Sequence, residues 1–175
     1  MGDLLFNHPP GPRVRDCGAL QFKRKRMRDI PFSDVKSLIG QELGKSDWHV
    51  ITQDQVNRFA DATGDQQWIH VDVARATAAM GGTIAHGFLT LSLLPMLAAS
   101  IYRISGVTRG INYGLNKLRF TNMAPTGSRV RLSEKLLAVE DKAGGGLQLT
   151  RECAVEIDGK DRPALVCEWI TIVYP

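Results

Sequence analysis

The hydrophobic period changes part-way along this chain of 175 residues, and that change restricts the possible folds more than any single motif. From Pro31 to about residue 104 the apolar residues recur at helical spacing. From about residue 109 onward they alternate, as on strands with one buried face. Helices followed by a run of long antiparallel strands are the pattern of an α+β domain whose sheet wraps a hydrophobic helix.

The helical half divides at its punctuation. Phe32, Val35, Leu38 and Ile39 predict a short amphipathic helix from near Ser33 to Gly40, and Trp48 to Thr52 reads as a strand. Thr52 then caps a second helix running through Val56, Phe59 and Ala60 to Gly64, with Asp54 suited to its positive end. A short helix is expected around Val73 to Ala79, and Gly81-Gly82 permit a turn. The stretch from Gly87 through Phe88 to Ile104 is apolar nearly all round, as expected of a helix covered on every side. Strands are expected at about 109–121, 128–139, 147–158 and 164–174, turning at 144–146 and at Asp158-Gly159 as a meander. On the third of these, Leu147, Leu149, Cys153, Val155 and Ile157 share a face, and Arg151 is the exception among them.

Charge is located rather than diffuse. Residues 1 to 30 carry seven Lys and Arg against three Asp, which accounts for the whole formal charge of +4. With Pro9, Pro10, Pro12 and the run Lys23 to Arg28, they read as a mobile basic tail ahead of a single domain at 31–175. A nucleic-acid-binding domain would show its basic excess on the folded part, so no nucleic-acid partner is expected. The most apolar stretch, Phe88 to Tyr102, is interrupted by Thr90, Ser92, Pro95 and Ser100 and falls short of the roughly 20 residues that span a bilayer. No membrane insertion is expected. Cys17, Cys153 and Cys167 are scattered, without metal-ligand spacing, which suits free thiols in a reducing, cytoplasmic setting and no metal site.

The chemistry concentrates between Phe59 and Ser92. Asp65 and His70 would diverge by about 140° on a regular helix and face opposite ways on a strand, so they cooperate only if the chain curls between them. Gly64 makes such a curl accessible. A carboxylate and an imidazole brought together there could hold one water and move its protons. Gly87 opens the apolar helix, where free amides could receive a developing oxyanion. Singly, each has a plainer explanation: a turn cap, a satisfied core histidine, a helix start. Ser92 shares a helix face with Phe88 and either lines a pocket or bonds back to a carbonyl one turn earlier. Lys117 and Arg119 fit either a phosphate contact or a solvated sheet edge.

Together, the run from Phe59 through Gly64-Asp65 to His70, followed by Ala85-His86-Gly87, resembles the motif of the MaoC-like, or hydratase 2, family: aromatic-x-x-x-x-G-D-x-N-P-x-H and then A/V-H-G before the central helix. Gln67-Trp68 stands where that motif has Asn-Pro. This variant, with Asn112-Tyr-Gly-Leu-Asn116-Lys117, is similar to the NodN-like branch. The resemblance covers most of the chain from about Ser46. It implies a hot-dog fold, a curved antiparallel sheet around the central hydrophobic helix, and a homodimer. It also implies (R)-specific hydration of trans-2-enoyl-CoA, with Asp65 and His70 catalytic and the Gly87 amide polarising the thioester carbonyl. Gln67, Trp68, His86, Ser92 and Asn116 are then placed with the acyl-CoA substrate. No cofactor is implied, CoA being part of the substrate. A hot-dog thioesterase and a non-catalytic acyl-CoA-binding module are the competing readings.

Overall fold

The computed structural model describes residues 27–175, so residues 1–26 of the tail expected at 1–30 lie outside the described residues. The described residues begin with β1 (Arg28–Pro31), a 3-10 turn over Phe32–Leu38, β2 (Glu42–Lys45) and β3 (His49–Val50). Five helices follow: α1 (Gln53–Thr63), α2 (Trp68–Val71), α3 (Val73–Met80), α4 (Gly87–Ser92) and α5 (Leu94–Ala98). The chain ends with β4 (Tyr102–Ser105), β5 (Arg109–Phe120), β6 (Arg129–Lys142), β7 (Gly146–Ile157) and β8 (Leu165–Tyr174).

The main sheet has the order β2-β6-β7-β8-β5, with β3 also paired to β6. Its ladders are antiparallel. The expected meander therefore holds only for β6-β7-β8. β5 does not pair with β6, which follows it in sequence, but crosses to the far side of the sheet beside β8. Irregularities at Leu136/Ala138, Asn112/Gly114 and Asn116/Arg119 bend the ladders, and Lys117, with φ 52, occupies the last of them.

One cluster joins the two halves. Leu89, Leu93, Leu94 and Leu97 of the helical segment pack with Val130, Leu132 and Leu136 of β6, Leu149 and Val155 of β7, and Leu165, Trp169 and Val173 of β8. The helix that was expected to run to Ile104 ends at Ala98, and it is divided at Leu93. Pro95 sits at the start of α5, where its missing N–H costs nothing, but it cannot continue the ladder of α4 unbroken. Tyr102–Ser105, expected as helix, is instead a strand in parallel register with Arg28–Pro31. That pairing buries Ile30, within the segment read as tail. The strand expected over Trp48 to Thr52 shortens to His49–Val50.

Candidate active site

Local sequence builds the curl that the acid and the imidazole need. The Thr52 side chain accepts the Gln55 amide at 3.2 Å and starts α1. Gly64, at φ 78, stops it in the left-handed conformation that favours glycine. The chain leaves α1 at Asp65, which is exposed, and re-enters a helical turn after Gln67, so that His70 falls in the last turn of α2. Gln53 braces this turn from α1, donating to the His70 carbonyl at 2.8 Å. An extended segment then runs alongside: the Ile84 amide donates to the Ile69 carbonyl at 3.1 Å, and Ala85 to Ala124 at 2.9 Å. It delivers His86 and Gly87 beside His70.

The polar atoms of Asp65, His70 and His86 lie within 4.8 Å of one another. The His70 and His86 rings stack with centroids 3.8 Å apart, and Phe59 closes on the His86 ring at 5.0 Å. Backbone carbonyls fix both tautomers, since a carbonyl can only accept. His70 donates from Nδ1 to Ile84 at 2.7 Å, and His86 donates from Nε2 to the Asp65 carbonyl at 2.9 Å. In that tautomer the lone pair of the His70 ring is on Nε2. The Nδ1 of His86 is buried and without a partner among the described residues. A cation held by these three residues would have only one ring nitrogen of each histidine to use.

A cavity of about 350 Å³ opens beside this group, lined by His70, Ala85, Gly87, Thr90, Phe120 and Met123 among others. Gly87 begins α4, so its amide has no acceptor within the helix. Space for a side chain there is tight. A Cβ would stand 3.0 Å from the Phe120 ring. Asp65, His70, His86 and Gly87 are thus brought to one place.

The other sequence candidates scatter. Gln67 is exposed and is the N-cap of α2 without a side-chain cap bond; Trp68 is half-buried under the Arg75 guanidinium at 4.2 Å. His86 is 2% exposed, so it stands behind His70 rather than in the cavity wall. Ser92 does both things foreseen for it: its hydroxyl donates to the Phe88 carbonyl at 2.8 Å, and it lines a second cavity farther along the helix. Asn116 lies opposite Glu168 in the β5–β8 ladder, beside the Lys117–Glu168 ion pair, and lines neither cavity. Asn112, four residues earlier on β5, does reach the second cavity. The Arg119 side chain donates to the adjacent Leu118 carbonyl.

The family model described as MaoC like domain matches residues 34–154. The chain belongs to the MaoC-like family. It is 52% identical over 139 residues to 3-hydroxyacyl-thioester dehydratase Z of Mycobacterium tuberculosis (strain ATCC 25618 / H37Rv), covering 79% of this chain and 92% of that protein. Nodulation protein N of Rhizobium leguminosarum bv. viciae is 47% identical over 150 residues, covering 84% of this chain and 93% of that protein. Among solved structures, the (R)-hydratase from A. caviae involved in PHA biosynthesis superposes with a TM-score of 0.62 at 22% identity, over 78% of this chain and 96% of that one. The R-hydratase PhaJ1 from Pseudomonas aeruginosa gives 0.58 at 23% identity, over 78% and 81%. These likenesses make the α+β architecture a hot-dog fold, and the sequence matches place this MaoC-like chain in the branch that includes nodulation protein N.

Sequence reading noted Arg151 as an exception on an apolar face but missed the partner that explains it. Glu134 and Arg151 are 1% and 4% exposed, and they meet inside the sheet, Nη1 to Oε1 at 3.4 Å. Arg151 also donates to the Tyr102 hydroxyl at 2.8 Å and to Thr171 at 2.9 Å. Burial pushes the Glu134 carboxyl up against the opposing pull of Arg151. The signal was available: Glu134 falls in phase with Val130, Leu132 and Leu136, as Arg151 falls in phase with Leu149 and Cys153. Two opposite charges at inward positions of neighbouring strands predict a pair.

Proposed function

We propose that this MaoC-like protein is an (R)-specific enoyl-CoA hydratase, in reverse a 3-hydroxyacyl-CoA dehydratase, with Asp65 and His70 as its acid/base pair. The observation that carries the reading is one carboxylate with an oxygen within 4.8 Å of an imidazole of fixed tautomer, which itself lines a cavity shared with Gly87. The name of the dehydratase relative, at 52% identity, supports the same reaction. A water held between Asp65 and His70 Nε2 adds its oxygen to C3 of a trans-2-enoyl-CoA. One water proton passes to the pair, and a proton returns from the pair to C2 on the same face. The negative charge that builds on the thioester oxygen is received by the Gly87 amide, a kind of contact worth about 2.7–4 kcal/mol in transition-state stabilisation. CoA is part of the substrate, and the proposed chemistry uses no metal or redox cofactor.

The protein acts as a homodimer in this reading. β5 is an edge strand of the described chain, and it exposes Ile111, Tyr113 and Leu115 in a row, with Phe88 and Met123 nearby at the cavity mouth. A long apolar edge of this kind invites pairing with a second copy.

Hydration of crotonyl-CoA, followed by loss of absorbance, tests the proposal. Asp65→Asn and His70→Ala each lower kcat by about 10²–10⁴-fold. Rates equal to wild type in both variants would refute the assigned roles, and release of free thiol from a saturated acyl-CoA would favour thioesterase chemistry instead.

A further inference from the structure

Three cavities follow one another along the seam between the central helix and β5. The first, beside Gly87 and Phe120, belongs to the acid/base pair. The second, about 400 Å³, is lined by Leu91, Ser92 and Leu94 together with residues 112–115. The third, about 350 Å³, lies beside Ala98, Ala99, Gly110, Ile111 and Val107. Gly87 and Leu91 share a face of α4, Pro95 follows at the start of α5 beyond the division at Leu93, and these residues form the helical wall of the series. β5 runs antiparallel to this progression, with Phe120 at the first cavity and Gly110 at the third.

The second and third cavities share Pro95, Asn112 and Trp169. At that common wall the Trp169 indole N–H donates to the Asn112 carboxamide oxygen at 3.2 Å, tying β8 to β5. The indole is held from another side by the Arg151 guanidinium, 3.9 Å from the ring centroid. Arg151 is in turn fixed by Tyr102, Thr171 and Glu134. The ring between the two cavities is therefore clamped.

We propose that the Trp169–Asn112 hydrogen bond is a partition across an acyl trough, and that it sets the longest chain the enzyme turns over. This rests on the hydratase reading above. An acyl chain whose thioester carbonyl sits at Gly87 enters the second cavity past Leu91 and Ser92. Pro95 lies eight residues beyond Gly87, about 12 Å along the helix, and there the chain meets the indole. The third cavity is walled largely by aliphatic side chains and is out of reach while the bond is made. Opening it would reward every further methylene with burial. A tryptophan serving only to fill the core would have no bearing on chain length.

The test is kcat/KM for crotonyl-, octenoyl-, dodecenoyl- and hexadecenoyl-CoA. Wild type is expected to favour octenoyl-CoA and to use hexadecenoyl-CoA poorly. Trp169→Ala raises the ratio of hexadecenoyl to octenoyl kcat/KM by about tenfold. Ratios within one preparation cancel any loss of folded protein. Asn112→Ala removes the bond without leaving a hole in the core, and shifts the ratio in the same direction by less. Unchanged ratios in both variants overturn the partition, as does a wild type that already prefers hexadecenoyl-CoA. Failure of the wild type to hydrate crotonyl-CoA is a separate result, which overturns the hydratase reading itself.

Discussion

Two places in this molecule bring acidic and basic side chains together, and their surroundings separate their roles. Asp65, His70 and His86 meet at the edge of a cavity, on a loop and a one-turn helix. Glu134 and Arg151 meet inside the sheet, within the core. At the first, the histidine tautomers are set by backbone carbonyls and the carboxylate stays exposed, so protons can be exchanged with a bound molecule. At the second, both terminal nitrogens of the guanidinium are bonded, to Tyr102, Glu134 and Thr171, and its plane lies over Trp169. Charge alone does not mark a reactive site; access together with an uncommitted lone pair does.

The sharpest way to break this contrast is to remove the core cation. Arg151→Ala leaves Glu134 buried without its counter-charge and lowers unfolding stability by about 3–5 kcal/mol, read as a fall in denaturation midpoint. The double variant Glu134→Leu/Arg151→Met is expected to regain most of that. A double variant no more stable than the singles would show that the two residues do not act as a pair.

Gly87→Ala probes the reactive region. Its Cβ meets Phe120 at 3.0 Å, an overpacking cost of about 1–3 kcal/mol, and hydration falls further than stability because the amide is displaced. Equal losses in both would detach Gly87 from the chemistry. Asp65→Asn should change stability by no more than about 0.5 kcal/mol while abolishing most turnover, the reverse of Arg151→Ala. A large drop in melting temperature for Asp65→Asn would erase the distinction between the two regions.

The smallest effect is electrostatic. Burial alone would raise the Glu156 carboxyl, but hydrogen bonds from Lys45 and Arg131 outweigh it and hold the group below its usual range. A depressed acid contributes stability above its unfolded pKa and loses it as pH falls through the folded one. Glu156→Gln should remove that part of the acid limb, worth about 0.5–1 kcal/mol, in unfolding measured from pH 7 downward. An acid limb identical to wild type would deny the pairing.

What the sequence revealed follows the range of its signals. α1, from the Thr52 cap to Gly64, is written in local residues, and so is the curl that follows at Asp65. Alternation located β5 to β8 to within a few residues. Register partners are not local, and nothing in residues 109–120 says that they pair with 165–174 rather than with the next strand. The helix end was misplaced because Tyr102 and Ile104 are as apolar as the helix before them, and only their pairing with Arg28–Pro31 makes them a strand. Within the candidate site, Asp65, His70 and Gly87 stood out through spacing. His86 was read as a substrate contact because a sequence does not show which side of a ring faces inward.

The parallel pairing of Arg28–Pro31 with Tyr102–Ser105 has a practical corollary. The family match begins at residue 34, and a chain trimmed to that boundary would lose a strand whose neighbour, Tyr102, supplies the hydroxyl that anchors Arg151. Such trimming would loosen the sheet interior from a distance, through a short N-terminal latch that homology alone would discard.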